Sequence, residues 1–176
     1  MAVVWLVAWV RTKRTQESVP LSYRLRYGLP VLIGSCLMLT DDASFAMVHW
    51  HRVPKNPIVS TVAVTLTIVG IVFAIWARFY LGRNWSSVVT IKVDHELIRT
   101  GPYRWVRHPI YFGLLVALFG TALAKGKPLA LIAVFLFFLG FSIKSRMEEQ
   151  FMLKTFGAEY EEYSRSTGRL IPKLRF

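Results

Sequence analysis

The sequence predicts an all-α, polytopic membrane helix bundle of about five helices, with a cytosolic connector and a C-terminal amphipathic helix. Of the 176 residues, 54% are hydrophobic. These residues collect in long uncharged runs, whereas Lys and Arg lie between the runs and give a formal charge of +12. No nucleic-acid partner is expected, because the basic clusters flank apolar runs instead of lining a soluble surface.

The N-terminal region 1–56 and the core span 57–82 open the predicted bundle. Pro57 to Ala77 is a run of 21 residues without charge. At about 1.5 Å per residue it can cross about 30 Å of hydrocarbon. Tyr27 to Thr40 is a second apolar run. Met1 to Val10 is too short to span a bilayer, so it is either a half-span or interfacial helix or the product of a misassigned start codon.

Residues 109–144 are predicted to form a tight helical hairpin. Pro109 to Ala124 and Pro128 to Ile143 are uncharged runs of 16 residues each, and only Lys125, Gly126 and Lys127 separate them. The lysines can reach the membrane surface while their stems stay in lipid. Small residues recur at helical spacing in the core span and in the first arm of the hairpin. Such faces allow close helix packing in lipid.

The distribution of basic residues predicts the orientation. Segments 11–26, 83–108 and 144–176 contain 5, 5 and 7 Lys and Arg residues, whereas 41–57 and 125–127 contain 2 each. By the positive-inside rule the richer segments face the cytosol. The connector 83–108 and the terminal helix and tail 145–176 are therefore expected on the cytosolic side of a single integral membrane domain, 1–176.

The terminal region is predicted to be an amphipathic helix on the cytosolic side of the bundle. Glu149, Met152, Phe156, Tyr160 and Tyr163 recur at the spacing of one helical face. Gly157 lies within this stretch and is its weakest helix former.

The connector carries the densest chemistry in the chain. Residues 94–111 contain two His, three Arg and two Tyr within 18 positions. Gly101 and Pro102 predict a turn, and Pro109 is suited to the first turn of a helix, so His108 is expected where that helix begins. Free N–H groups at such a helix start favour an anion. An ordinary interfacial belt is the alternative interpretation.

No metal site is expected. No His or Cys recurs at ligand spacing, and His49 and His51 belong to the opposite membrane surface in the predicted topology. Cys36 is the only cysteine, so neither an internal disulfide nor a cysteine-based metal site is possible.

Two separated blocks of this sequence resemble the isoprenylcysteine carboxyl methyltransferase family and its prokaryotic relatives. The first block is His95-Glu96-Leu97-Ile98 followed by Gly101-Pro102-Tyr103-Arg104-Trp105-Val106-Arg107-His108-Pro109-Ile110-Tyr111-Phe112-Gly113. The second comprises Glu148-Glu149, Phe156-Gly157, Tyr160, Tyr163 and Ile171-Pro172. The resemblance covers about residues 75 to 172, and residues 83–176 would form the catalytic part.

The resemblance implies an S-adenosylmethionine-dependent methyltransferase with a lipophilic acceptor that enters from the bilayer. The implied cofactor contacts are His95, Glu96, Leu97, Ile98, Tyr103, His108, Pro109, Ile110, Tyr111 and Glu148. The product would be S-adenosylhomocysteine. Tyr rings suit a sulfonium cation, and a Glu can accept hydrogen bonds from ribose hydroxyls.

The resemblance also implies which residues meet the acceptor, a lipophilic small molecule or a lipidated one. The family's acceptor-binding basic residue falls near Lys144, and Arg146 lies two residues on. Arg107 and Glu149 complete the candidate catalytic set. An isoprenylcysteine-like or isoprenoid carboxylate is already ionised and needs no general base. A phospholipid amine would need deprotonation, for which Glu149 and His108 are the candidates.

An NADPH-dependent membrane sterol- or steroid-type reductase is the alternative class. Its members carry a similar Arg-His-Pro-x-Tyr element at the same kind of helix start. Two positions differ, because this chain has Ile110 and Leu114 where that group's pattern has Asn and Glu. The chain contains no Gly-rich dinucleotide loop.

Overall fold

The computed structural model describes residues 15–18, 20–40, 56–82, 90–92 and 97–173. Within them the chain forms five α-helices and one 3-10 helix, Gly101–Arg104. The α-helices are Leu21–Leu39 (α1), Pro57–Leu81 (α2), Pro109–Lys125 (α3), Pro128–Phe156 (α4) and Ala158–Ser166 (α5). The predicted all-α class is confirmed. The predicted helix at Met1 to Val10 lies outside the described residues.

A short antiparallel ribbon was not predicted. Strand β1, Thr15–Ser18, pairs with β2, Thr90–Lys92, and the register is irregular between Thr15 and Glu17. The ribbon links the segment before α1 to the connector. Strands this short carry no readable alternation of polar and apolar residues, so the sequence pattern does not indicate them.

Helix α2 begins and ends at residues whose chemistry explains its bounds. The Asn56 side chain accepts a hydrogen bond from the Val59 backbone N–H at 2.8 Å, and Pro57 occupies the first turn. At the other end Gly82 has φ +56°, a conformation that stops the helix and favours glycine. The core span therefore has well-defined ends.

Glycines bring α2 and α3 into backbone contact. Gly70 packs against the backbones of Gly113 and Ala117, and Gly120 packs against Ala63. The Thr67 hydroxyl, beside them, donates to the Ala63 carbonyl oxygen at 2.9 Å. The predicted small-residue faces are confirmed, and close backbone packing of this kind suits helices surrounded by lipid.

The predicted hairpin is also confirmed. Helix α3 ends at Lys125, and Gly126 adopts the left-handed conformation with φ +66° before α4 begins at Pro128. On its other side α4 packs against α1, where Gly140 lies against the Tyr27 carbonyl oxygen and Val31. Helix α1 thus reaches the same end of α4 as the connector.

Helix α4 is longer than the sequence pattern indicated. It continues without a break from Pro128 through Lys144 to Phe156, so the boundary expected between hairpin and terminal helix at residue 144 falls inside one helix. The chain breaks at Gly157 instead, where φ is +52°, and α5 follows. Charged residues determine whether a helix segment lies in lipid or in water, but they do not end the helix. Gly157 ends it, because glycine is a weak helix former and readily adopts a positive φ.

The outer surfaces of the bundle are apolar. Helices α2 and α4 are long and apolar enough to cross a membrane, and α3 is apolar but shorter, with 17 residues. A core helix of a soluble protein would be mostly buried, yet Ile58 of α2 is 75% exposed and Phe79 is 64% exposed. Exposed apolar surface on this scale requires lipid or a protein partner.

Candidate active site

The 3-10 helix Gly101–Arg104 fixes the connector to the bundle. Its buried Tyr103 donates a hydrogen bond through its hydroxyl to the Ala77 carbonyl oxygen of α2 at 3.3 Å. The Tyr163 hydroxyl of α5 donates to the Tyr103 carbonyl oxygen at 2.6 Å. Gly101, with φ +58°, opens the turn against the Tyr80 ring. The connector is thereby held between α2 and α5.

Arg107 joins the connector to both C-terminal helices. Its Nε lies 2.6 Å from Glu149 Oε1 on α4, and its Nη1 donates to the carbonyl oxygens of Ser164, at 2.8 Å, and of Thr167. The Arg107 backbone N–H donates to Gly168 O at 2.8 Å. The guanidinium fork can satisfy several acceptors at once, which explains how one side chain ties three segments together.

His108 lies between two carboxylates at the start of α3. Its Nδ1 is 3.3 Å from Glu148 Oε2, and its Nε2 is 3.4 Å from Glu149 Oε1. The Nε2 contact is too poorly directed for a hydrogen bond, and this buried nitrogen has no hydrogen-bond partner among the described residues. The Tyr111 hydroxyl donates to Glu148 Oε1 at 2.7 Å. Adjacent turns of α3 and α4 thus form one polar cluster.

Aromatic rings line the side of this cluster that adjoins the charge-free stretch 128–143 of α4, to which Phe141 belongs. The rings of His108 and Tyr111 stack at 5.5 Å, and the rings of Tyr111 and Phe141 stack at 4.9 Å. Lys144 Nζ lies 5.5 Å from the ring centroids of both Tyr111 and Tyr27 and 4.0 Å from Glu148 Oε1. The cation and the π faces attract one another.

Contacts within the cluster favour the charged forms of His108, Glu148 and Glu149. Burial lowers the pKa of His108, but its interactions with Glu148 and Glu149 outweigh burial and raise it above the ordinary value of 6.5. Both carboxyls lie beyond the charge-free stretch 128–143 of α4. Burial would raise the pKa of Glu149, but His108 and Arg107 lower it to about 2. His108 and Lys144 likewise lower the pKa of Glu148.

The structure brings most of the predicted site residues together. Arg107, His108, Tyr111, Lys144, Glu148 and Glu149 share this cluster, and Pro109 and Ile110 are buried in the first turn of α3. Leu97 and Ile98 are half-buried just before the 3-10 helix, while His95 and Glu96 lie outside the described residues.

No described contact brings Arg146 into the cluster, and Tyr103, Leu97 and Ile98 likewise lie outside it. Arg146 is exposed, and two residues along an α-helix correspond to a rotation of about 200°, which turns it away from the side of α4 that carries Lys144.

Tyr27 and Phe141 are site residues that the sequence did not indicate. Both lie in apolar stretches where an aromatic residue is ordinary, and Tyr27 belongs to a region that resembled the family only as hydrophobic spans. Among the described residues no group of three His, Cys, Asp or Glu side chains could hold a metal ion.

The residues present fit S-adenosylmethionine. The buried Nε2 of His108 offers a hydrogen-bonding position to a polar group at the start of α3. The His108 side chain makes no capping bond to its own helix, which leaves first-turn N–H groups to an anion such as a carboxylate. The rings of His108 and Tyr111 stack beside the Glu148 carboxylate, which the Tyr111 hydroxyl contacts. Ring faces and a carboxylate both attract a sulfonium cation.

The fold and the cluster define a helical membrane protein with a buried polar site at one end of its hairpin. A family model described as phospholipid methyltransferase matches residues 58–159, more than half of the 176 residues. The chain belongs to this family, within its isoprenylcysteine methyltransferase branch.

Two of three similar curated relatives carry the name of this branch, and the third carries a different name. A protein-S-isoprenylcysteine O-methyltransferase of Schizosaccharomyces pombe is 31% identical over 163 residues, covering 84% of this chain and 67% of the relative. The one of Saccharomyces cerevisiae is 41% identical over 95 residues, covering 52% and 39%. The nickel-cobalt-cadmium resistance protein NccN of Alcaligenes xylosoxydans xylosoxydans is 26% identical, covering 81% and 65%.

A solved structure has the same fold. The eukaryotic intramembrane Ras methyltransferase, an isoprenylcysteine carboxyl methyltransferase, superposes with a TM-score of 0.63 at 24% identity, covering 83% of this chain and 52% of the other. The polytopic membrane helix bundle is thereby confirmed. The present chain spans 39% of the Saccharomyces cerevisiae relative and 61% of an Oryza sativa relative.

Proposed function

We propose that this chain is an integral membrane methyltransferase that transfers a methyl group from S-adenosylmethionine to a lipophilic carboxylate, such as an isoprenylcysteine-like or isoprenoid acid. The observation that carries the proposal is the buried cluster at the start of α3, in which His108 lies between Glu148 and Glu149. Membership of the methyltransferase family supports the same reaction class.

The cofactor is proposed to lie against the connector and the start of α3, in contact with the ten residues implied by the resemblance. His108 Nε2 and the free N–H groups of the first turn of α3 would hold its polar groups, and Glu148 would accept from hydroxyls. Glu148 is already oriented by the Tyr111 hydroxyl at 2.7 Å. When bound, S-adenosylmethionine supplies an electrophilic methyl group on a sulfonium sulfur.

The ionisation of the cluster favours a carboxylate acceptor. An amine acceptor must lose a proton before it can take a methyl group, but Glu149, with a pKa of about 2, is a very weak base. The two carboxylates also raise the pKa of His108, which favours the protonated form that cannot accept a proton. A carboxylate acceptor, with an ordinary pKa near 4, is ionised at neutral pH and needs no base from the protein.

Two cations contribute differently to the proposed site. Lys144, at the membrane side of Glu148 and over the rings of Tyr27 and Tyr111, is the candidate that attracts the acceptor carboxylate. Arg107 is tied to Glu149, Ser164 and Thr167. Its contacts support a positioning role, in which it orders the connector and the C-terminal segment around the cofactor. Rate enhancement then comes from orientation and exclusion of water.

The proposed site faces the cytosol. The connector 83–108 and the segment 144–176 contain 5 and 7 basic residues, and the hairpin turn 125–127 contains 2. This asymmetry supports a cytosolic location for the site and for the C-terminus. A lipophilic acceptor would then approach from the bilayer while the cofactor enters from the water.

Cofactor binding to detergent-purified protein separates the reaction classes. We expect labelled S-adenosylmethionine to bind saturably, with S-adenosylhomocysteine as a competitor, and NADPH not to compete. Binding of NADPH without S-adenosylmethionine would support the membrane reductase and overturn the methyltransferase.

The acceptor class is tested by the chemistry of the product. Lipid extracts are incubated with the enzyme and methyl-labelled S-adenosylmethionine, and the labelled lipid is treated with mild alkali. A carboxylate acceptor gives a methyl ester that releases labelled methanol. A phospholipid amine, which the family description makes the second candidate, gives an N-methyl product that keeps its label in alkali.

A further inference from the structure

A groove is lined partly by connector residues that do not belong to the polar cluster. It is an open groove of about 580 Å³ between the connector, α2, α3, α5 and the C-terminal segment. None of His108, Tyr111, Lys144 or Glu148 lines it. The groove thus has its own lining residues, and Thr167, whose carbonyl oxygen accepts a hydrogen bond from Arg107, connects it to the cluster.

The floor of the groove is aromatic. Phe73 of α2 and Phe112 of α3 line it, with ring centroids 5.7 Å apart in an edge-to-face arrangement. Trp105 of the connector also lines it and is 51% exposed, and its ring lies 6.1 Å from that of Trp76. Exposed Trp rings beside a membrane span are typical of the boundary between hydrocarbon and headgroups.

The rim of the groove has an excess of positive charge. Arg99, Arg104 and Lys173 line it together with one carboxylate, Glu162. Arg99 lies 2.9 Å from Glu159 and is partly neutralised, and Lys173 donates to the Arg165 carbonyl oxygen at 3.0 Å. Arg104 is exposed, and its fork of donors matches the geometry of a phosphate.

We infer that this groove binds an anionic phospholipid. The charged rim would hold the phosphate of the headgroup near Arg104, and the aromatic floor would take the first part of an acyl chain that continues along the exposed apolar face of α2. The positive rim is complementary to the anionic headgroup, and the aromatic floor is complementary to the acyl chain. A ligand with only one of these parts would leave the other part of the groove uncovered. The inference does not depend on the identity of the methyl acceptor.

Native mass spectrometry of the detergent-purified full chain tests this inference. Phosphatidylglycerol and phosphatidylcholine with the same acyl chains are titrated separately. We expect phosphatidylglycerol to bind at least about fivefold more tightly, and Arg104→Gln to remove about fivefold of its affinity, the effect of one basic residue beside an anionic headgroup. Lys173→Gln, at an exposed position, carries the same expectation.

Matched variants outside the groove serve as controls. Arg165→Gln removes an arginine of α5 whose side chain is 77% exposed and pairs with Glu161, and it should leave phosphatidylglycerol binding unchanged. Trp105→Ala should weaken binding of phosphatidylglycerol, whereas Phe135→Ala, on an exposed face of α4, should not. Thermal unfolding confirms that each variant is folded.

Three outcomes overturn the inference. Equal affinity for the two phospholipids excludes recognition of the charge. Displacement of phosphatidylglycerol by an equal concentration of inorganic phosphate excludes a role for the apolar floor. An isoprenoid carboxylate that binds more tightly than phosphatidylglycerol, and whose methylation Arg104→Gln abolishes, would make the groove an acceptor site.

Discussion

Arg107 Nε and Glu149 Oε1 lie 2.6 Å apart and join the connector to α4 in a pair whose side chains are 11% and 19% exposed. The same guanidinium donates to Ser164 and Thr167 at the end of α5. Together with the backbone hydrogen bond from the His108 N–H to the Arg169 carbonyl oxygen, this arginine holds the C-terminal segment beside the start of α3. Loss of the contact is therefore expected to disturb the polar cluster.

We expect Arg107→Lys to destabilise the protein and to weaken binding of S-adenosylmethionine by at least about tenfold. Lys lacks the planar fork, so it cannot serve Glu149 and two carbonyl oxygens together. Breaking a buried pair of this kind costs about 3–5 kcal/mol. Thermal unfolding and cofactor titration measure the two effects. Arg165→Lys, in the exposed pair with Glu161, is the control, and equal behaviour of both variants would contradict the positioning role.

Glu148→Gln should weaken cofactor binding strongly while the protein stays folded. The variant keeps the shape of the side chain but removes the charge that holds His108 and the Tyr111 hydroxyl. We expect a loss of about 1.5–3 kcal/mol, as for hydrogen bonds to charged groups, which isothermal titration measures. Glu161→Gln, on the exposed face of α5, should bind normally. Normal affinity in Glu148→Gln would show that the cofactor lies elsewhere.

Stability should decrease as pH rises through the pKa of His108. This pKa is raised in the folded protein, so folding binds a proton that the unfolded chain, with a pKa near 6.5, holds less tightly. The stabilisation is complete below pH 6.5 and is lost at higher pH. Unfolding temperatures between pH 6 and pH 9 should fall more steeply for the natural protein than for His108→Gln. Parallel pH profiles would exclude this assignment.

Lys144→Ala should impair turnover of the acceptor and leave cofactor affinity within about twofold. The reason is that Lys144, whose Nζ lies 5.5 Å from the ring centroids of Tyr27 and Tyr111, is proposed to attract the acceptor carboxylate and not to hold the cofactor. Arg146→Ala is the matched control, because Arg146 is exposed and is turned away from the Lys144 side of α4. Steady-state kinetics with varied acceptor, together with cofactor titration, separate the two effects. A loss of turnover in Arg146→Ala equal to that in Lys144→Ala would refute the assignment.

Gly70→Ala should destabilise the bundle by about 1–3 kcal/mol or more, because a methyl group there overlaps the backbones of Gly113 and Ala117. Gly28→Ala in α1 is the control, since nothing lies within 4 Å of a methyl group at that position. Helix propensity predicts that this second variant is slightly stabilised. Thermal unfolding in detergent distinguishes them, and a stable Gly70→Ala would rule out close backbone packing.

The sequence predicted the hairpin and the start of α3 because local chemistry determines them. These elements follow from local features of the sequence: the length of an uncharged run, a Pro at a helix start and Gly126 at a helix end. Each feature influences the backbone only within a few residues. The continuity of α4 past Lys144 was missed for the opposite reason. A change from apolar to charged residues marks where a helix leaves lipid, and a helix can continue through that boundary.

The assembly of the site depends on contacts between distant parts of the chain. Tyr111 and Glu148 are 37 positions apart, and helical periodicity alone does not indicate that they touch. The resemblance implied that both residues contact the cofactor, but it indicated neither their mutual contact nor the presence of Tyr27 at the site. The contact of Tyr27 with Lys144 requires α1 to pack against α4 through Gly140, which is a property of the whole bundle.

The unbroken helix α4 also sets the depth at which chemistry can occur. Phe141, Lys144 and Glu148 belong to one rigid rod, so Glu148 lies about 7.5 Å along the axis beyond the end of the charge-free stretch at Ile143. An acceptor whose carboxyl group directly follows its apolar chain can reach that height without leaving the bilayer. One that carries its carboxyl group on a long polar stem would place it above the site. The distance between the apolar chain of an acceptor and its carboxyl group should therefore determine whether the enzyme accepts it as a substrate.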